Sequence, residues 1–302
     1  MKMIFHGGRR VKRRTVKLPL FLVSLREMNR VKLICIDVDG TLINSRGLVG
    51  EADRLALKRA ANDLGIPVAI VSGRSKSALS TIRCQLDFET SFSSFNGLYV
   101  ESGGEVLLNK PADPVLLGSL LPLIRRERFV PVVFGLEEWY MEDPGYWYDM
   151  QRAICGREGH LGDLQTLLCG PSAPEVYKIV IKNRDPRLVT ALVPRLEKMK
   201  SEGRLGDLIV VSSGPNIIEF IPNGGDKADT LDVLAAHFGV AMENVIAFGD
   251  YYNDVLMLRR AGIGVCMGNG VPEAICAADY VTLSNEECGI SVALGRFVFG
   301  EG

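Results

Sequence analysis

No run among the 302 residues comes near the roughly 20 consecutive apolar positions of a membrane-spanning helix. Cysteine is sparse and unpatterned. The seven residues (Cys35, Cys84, Cys155, Cys169, Cys266, Cys276 and Cys288) are odd in number, show no C-x-x-C pair and lack the density of a disulfide scaffold, so a reducing, cytoplasmic setting fits. Histidine is scarcer still: His6, His160 and His237 form no cluster, which excludes a histidine metal site. A dinucleotide fingerprint is missing after the first apolar run, and the later Gly262-x-Gly264 lacks a third glycine at the required spacing. There is no internal repeat and no low-complexity tract.

Net charge is also nearly absent, at −1, but that value hides an asymmetry. Residues 1–27 hold eight Lys/Arg and one acid, which leaves 27 basic against 35 acidic residues, about −8, in the rest of the chain. Such a body is poorly suited to nucleic acid, and no protein partner is legible. The run Arg9-Arg10-Val11-Lys12-Arg13-Arg14 precedes a short apolar stretch, Leu18 to Leu25, with no small-residue cleavage site after it. Residues 1–27 therefore read as a disordered extension or a mis-assigned start, with Met28 the more natural beginning.

With 47% hydrophobic and 24% charged residues, the chain is long enough for one large domain carrying an insert, or for two domains. Val31 to Ile36 is an apolar run of strand length. Leu55, Leu57, Ala60, Ala61 and Leu64 then recur at helical spacing until Gly65, and Ile66 to Val71 reads as a second buried strand, completing a βαβ unit. A helix is expected over 75–85 and a hairpin across Gly103-Gly104. From 111 to 212 the character changes: both tryptophans and several tyrosines fall here, with strands near 129–134 and 176–181 and helices over 113–125 and 186–200. Parallel patterning returns afterwards, with helices over 226–238 and 253–261 and strands over 245–248 and 263–267. The expected fold is α/β: a Rossmann-like, doubly wound parallel-sheet core over 28–110 and 213–302, interrupted by an inserted α+β domain over 111–212.

Four features stand at strand ends: Asp37-Val38-Asp39-Gly40-Thr41, Ser72-Gly73-Arg74, Lys227 at a helix start, and Gly249-Asp250-Tyr251-Tyr252-Asn253-Asp254. Open α/β sheets place their chemistry at the carboxyl ends of the strands. Together the four supply what phosphoryl transfer needs. A carboxylate such as Asp37 can attack phosphorus if a hard cation offsets the mutual repulsion, and a covalent aspartyl-phosphate divides one hard displacement into two easier ones. Asp39 is placed to protonate the leaving alkoxide and then take a proton from water, a role typically worth ~10²–10⁴-fold in rate. Asp37, Asp39 and Asp250 offer oxygen ligands that suit Mg²⁺. Thr41 and Ser72 provide hydroxyls and N–H groups for phosphoryl oxygens, Gly73 permits close backbone approach, and Lys227 adds a fixed positive charge. A calcium-loop reading of the first feature fails, because Leu42 and Leu48 stand where a glycine and a bidentate Glu are needed.

In this order and spacing, D-x-D-G-T, S-G-R, a lone Lys and G-D-x-x-N-D, the chain resembles the haloacid dehalogenase superfamily, and within it the Cof-type phosphatases with an α+β cap. Phe95-Asn96-Gly97, Ile218 to Pro222 and Val265 to Gly270 are further Cof-like stretches. The resemblance implies a Mg²⁺-dependent phosphatase of a small phosphorylated metabolite, a sugar phosphate or a phosphorylated cofactor. The insert would then be a cap that closes over the core and selects the leaving group, a lid unsuited to a macromolecular substrate. It also implies Asp37 as nucleophile, Asp39 as acid/base, Ser72 and Lys227 as phosphate holders and Asp250 as metal ligand. Asn253 and Asp254 would act from behind the ligands, Asp254 orienting a metal-bound water or Lys227, and Arg74 and Asn96 would touch substrate. A plain helix-start acid is the other reading of Asp254. Arg125, Arg152, Arg157, Lys178 and Arg184 are candidates for a second anionic group. Asp226 and Asp229 beside Lys227 depart from the family pattern and either weaken phosphate binding or cap the helix; Tyr251 and Tyr252 either narrow the site or pack outward. A phosphotransferase or mutase shares all the motifs, and a non-catalytic sensor would be expected to lose Asp37 or Asp39, which are both present.

Overall fold

The computed structural model describes residues 30–301; the expectation for residues 1–27 lies outside them. Fourteen strands form two sheets. In chain order they are β1 (Leu33–Ile36), β2 (Val68–Val71), β3 (Ser91–Ser94), β4 (Tyr99–Ser102), β5 (Glu105–Asn109), β6 (Val130–Gly135), β7 (Trp139–Met141), β8 (His160–Leu161), β9 (Val176–Lys182), β10 (Leu208–Gly214), β11 (Ile217–Pro222), β12 (Val245–Gly249), β13 (Ile263–Cys266) and β14 (Tyr280–Val281). The first sheet has the order β14-β13-β12-β1-β2-β3-β4-β5 and is parallel from β14 to β3. The chain proceeds from β1 through β2 to β3 on one side and returns at β12 on the other, so strand order reverses between β1 and β12. All four residues of β1 are buried, as a strand covered on both faces requires. This is the expected α/β core, with the binding crevice predicted at that reversal.

The second sheet, β10-β11-β9-β6-β7-β8, is antiparallel except between β7 and β8. One face packs against helices through Leu117, Leu121, Leu168, Leu192 and Leu196, all buried. The other face turns to the core: Val132, Phe134, Tyr177 and Val180 share one apolar cluster with Phe92, Phe95 and Tyr99.

Pairing moves the boundary expected at 212/213. β10 runs across it, and β11, assigned to the core from its motif, pairs with β9 through Ile218↔Ile181 and Phe220↔Ile179. The inserted sheet therefore extends to Pro222. Ile218 and Phe220 are buried while Glu219 alternates out of that core, a half-buried antiparallel pattern that the motif obscured. The helix expected over 113–125 is two helices, Pro114–Gly118 and Leu121–Arg126. Pro122 lacks the N–H to continue the first, and its ring fits only an opening turn.

The helix Glu51–Leu64 buries a different stripe from the one expected. Leu55 and Leu64 are exposed, while Asp53 is fully buried with Leu57 and Ala60. Asp53 Oδ1 accepts from Ser291 N at 2.7 Å, but among the described residues Oδ2 has no hydrogen-bond partner. Burial, opposed by the Ser291 bonds, pushes this carboxyl up to about 6 from 3.8. Because the folded pKa lies above the unfolded one, the penalty is fully present above pH 6 and is relieved as pH falls from 6 toward 3.8. Asp53→Asn is expected to raise stability at pH 7.5 by ~1–3 kcal/mol, with the gap to wild type narrowing by roughly 1 kcal/mol by pH 5. Thermal melts of both proteins across that range check this, and a gap independent of pH would place the effect elsewhere.

Candidate active site

Three strands that end at one edge carry the first elements of the site. Asp37 follows β1, and its N–H donates to Phe248 O at 3.0 Å, which carries the β1/β12 pairing one step past Ile36. Ser72 follows β2 and Asp250 follows β12. The chain then turns at Gly40, whose φ of +83° disfavours any side chain; a Cβ there would collide with the Asp250 carboxylate. Thr41 Oγ1 donates to Asp250 Oδ1 at 2.8 Å, which commits its hydroxyl proton to the loop after β12. Asn269 Nδ2 donates to Gly40 O at 2.8 Å. Asn269 lies in the Cof-like stretch Val265 to Gly270, and its partner is 229 residues away, beyond any local sequence signal.

Lys227, 1% exposed, reaches this edge from the first turn of the helix Lys227–Phe238. Its ammonium donates to Asp37 Oδ1 and, at 2.6 Å, to Asp254 Oδ1. Burial pulls its pKa down, but Asp254 and Asp37 outweigh that and hold it above the ordinary lysine value. Asp254 Oδ2 accepts from the N–H groups of Asp250 (3.0 Å) and Tyr251 (2.9 Å), so both its oxygens are committed to holding Lys227 and the loop after β12. Asp226 is the helix cap, accepting from Ala228 N at 2.8 Å.

Buried oxygens of Asp37, Asp250 and Asp254 lie within 4.8 Å of one another. Burial, then Asp254, pushes the Asp37 carboxyl well up despite Lys227. Burial pushes Asp250 up to about 6 against the Thr41 hydrogen bond. Three acids facing one lysine leave negative charge in a poorly solvated place. Among the described residues Asp37 Oδ2 and Asp250 Oδ2 accept no hydrogen bond, so an oxygen donor set with free lone pairs remains, which fits a hard cation such as Mg²⁺. The Asp39 carboxylate is not brought into this cluster. Past Ile36 the chain leaves the strand for a turn, same-face alternation ends, and Asp39 is held by Arg74 through Nε at 2.9 Å and a second guanidinium nitrogen.

Ser72 is buried, and its Oγ accepts from Arg74 N at 3.1 Å, leaving its own proton to donate. Arg74, expected at substrate, is occupied by Asp39. Asn96 Oδ1 accepts from Asn253 Nδ2 at 3.3 Å and backs onto Gly73. Phe95 and Asn96 are both left-handed, at φ +54° and +58°, a conformation costing non-glycine residues about 1–2 kcal/mol each. Tyr251 is 45% exposed with its ring 4.8 Å from Tyr252, so it packs outward. Of the five cap cations only Lys178 comes to the site, donating to Gly73 O (3.3 Å) and Glu219 (2.8 Å). Arg125, Arg152 and Arg157 are paired to Glu142, Glu158 and Glu138, and Arg184 stacks on Tyr146. Glu219 carried no sequence signal beyond its motif; the antiparallel pairing of β11 with β9 brings it beside Lys178.

Buried acids, a shared lysine and a serine loop at the switch point agree with what the comparisons find. The profile of the haloacid dehalogenase-like hydrolases matches residues 34–294. A 5-amino-6-(5-phospho-D-ribitylamino)uracil phosphatase of Bacillus subtilis, YcsE, is 30% identical over 279 residues, which is 90% of this chain and 98% of that protein. An HMP-PP phosphatase of Cronobacter sakazakii is 26% identical over 83% of this chain and 89% of its own length. The crystal structure of a haloacid dehalogenase-like hydrolase from Bacteroides thetaiotaomicron superposes with a TM-score of 0.78 at 29% identity, covering 88% of this chain and 99% of that one. The chain belongs to the haloacid dehalogenase-like hydrolases, in their Cof-type branch.

Proposed function

We propose that this protein is a Mg²⁺-dependent phosphatase of a small phosphorylated metabolite, a sugar phosphate or a phosphorylated cofactor, working through an aspartyl-phosphate. The observation that carries the reading is the Asp37–Lys227–Asp254 arrangement at the end of β1, with Asp250 and Ser72 beside it. Similarity to the ribitylaminouracil phosphate and HMP-PP phosphatases supports a small metabolite as substrate.

In this reading Asp37 attacks phosphorus with one carboxylate oxygen, and the bond to the leaving oxygen breaks. Asp39, released from Arg74, gives that oxygen its proton; it then takes a proton from the water that cleaves the acyl-phosphate. Ser72 donates its free hydroxyl hydrogen to a phosphoryl oxygen and Lys227 holds a second through charge. Asp37 and Asp250 would hold Mg²⁺, whose charge when bound would let an anionic nucleophile meet an anionic substrate. The second sheet reaches the serine loop through Lys178, which donates to Gly73 O.

Phosphate release from a panel of sugar phosphates, nucleotides and cofactor phosphates tests this. Release with Mg²⁺ that EDTA abolishes is expected, together with inhibition by Ca²⁺, whose looser, higher coordination suits the site poorly. Silence across the panel, or release indifferent to EDTA, would overturn the reading.

A further inference from the structure

We infer that the left-handed segment Phe95-Asn96-Gly97, seated on Tyr177 of the second sheet, positions the phosphate-holding loop, so that the inserted domain sets how tightly the core holds a phosphoryl group. The inference rests on the phosphatase reading above. It begins from a costly conformation: two consecutive non-glycine residues at positive φ persist only where their surroundings hold them.

Those surroundings are the working parts of the site. Phe95 N donates to Arg74 O at 3.0 Å and Asn96 N to Ser72 O at 2.8 Å, two bonds that straddle Gly73 and fix where the loop stands. The Asn96 side chain backs Gly73, where a Cβ would lie 3.1 Å from its Oδ1, and takes the hydrogen bond from Asn253 in the loop after β12. Gly97, at φ +103°, presses on the first turn of the Lys227 helix, where a Cβ would meet Asp226 O at 2.7 Å and Thr230 Oγ1 at 2.8 Å. One three-residue segment thus touches the serine loop, the metal loop and the lysine helix.

The inserted domain holds that segment from the other side. The buried rings of Phe95 and Tyr177 stack with centroids 4.7 Å apart and planes 4° from parallel. Tyr177 is itself pinned by its hydroxyl, which donates to Asn109 Oδ1 at 2.6 Å, and its neighbour Lys178 donates to Gly73 O. Among the described residues Tyr177 makes no hydrogen bond or ring contact to Asp37, Asp39, Ser72, Lys227 or Asp250. Its effect on chemistry must pass through Phe95, which makes it a positioning residue. Without the stack, the segment can relax toward extended backbone, and the serine loop loses both anchors.

Orthovanadate with Mg²⁺ on the full chain is the probe, because it reports the phosphoryl site without any leaving group. Tyr177→Leu is expected to weaken vanadate binding by ~10-fold or more, since misplacing a positioned group by about an ångström is worth up to ~10²-fold. Tyr177→Phe, which keeps the ring and loses only the hydroxyl's bonds to Asn109 and Glu175, is expected to stay close to wild type. Phe95→Leu should lose as much as Tyr177→Leu, and the double variant no more than either alone. A folded Tyr177→Leu that binds vanadate as wild type does would overturn the inference, whatever happens to larger substrates. If that variant does not fold, Asn96→Ala and Asn96→Gly carry the test: Ala should weaken binding more than Gly, which adopts φ +58° freely, and equal binding by both would overturn it. A wild type that neither binds vanadate nor releases phosphate would overturn the phosphatase reading and this inference with it; tight wild-type binding matched by Tyr177→Leu would overturn the inference alone.

Discussion

Asp37→Asn is expected to lower phosphate release by at least ~10⁴-fold while the protein stays folded, because loss of a nucleophile costs nearly all of the chemical rate enhancement. The amide is nearly isosteric but a poor nucleophile, and it can still accept from Lys227. Stability should hold or rise. The carboxyl is pushed up by burial and by Asp254, so its charged form is disfavoured in the metal-free fold, and an amide removes that penalty. A melting temperature at or above the wild-type value, combined with no turnover, is the expected pair of results. Near-normal hydrolysis would sink the covalent mechanism, and loss of the fold would show that the pairing with Lys227 is structural first.

Lys227→Met should have the largest effect on stability. It removes the cation shared by Asp37 and Asp254 and leaves buried carboxylates without compensation, a change typically worth 3–5 kcal/mol, or roughly a 10 °C fall in melting temperature for a chain of this size. Activity should fall with it, since a fixed charge near the phosphoryl oxygens is lost. The stability deficit should shrink as pH falls and the Asp37 carboxyl, already pushed up by burial, protonates, and Asp254→Asn in the same background should recover part of it. Mg²⁺ should raise the melting temperature of the variant more than that of wild type, because it binds the folded acid cluster and replaces the missing charge. A variant as stable as wild type at pH 7.5 without metal would mean that Lys227 does not offset buried charge in the fold.

Much of the site was legible because its parts are local. Asp37, Ser72 and Asp250 each follow an apolar run, and an apolar strand with an acid or a serine at its end announces itself within ten residues. The same locality misled where pairing across long separations decides the outcome. β11 read as core from its motif yet belongs to the inserted sheet, because its partner is β9. The Asp39 carboxylate turns to Arg74, 35 residues away, because the backbone has left the strand, a pairing that no local pattern shows. Asp53 lies among the charged residues of the first helix, and its burial follows from Ser291, 238 positions away.

Sequence alone determined the α/β core, the inserted α+β domain and the residues that gather at the strand ends, because hydrophobic period and turn chemistry are short-range properties. Only the tertiary structure decided that Asp254 commits both oxygens behind Lys227 and Asp250, that Lys178 is the cap cation at the site, and that Tyr177 stacks on a left-handed Phe95. The pairs Lys227–Asp254, Phe95–Tyr177 and Gly73–Lys178 meet from positions 27 to 105 apart, where no local preference acts and the packing of helices and sheets sets the distance.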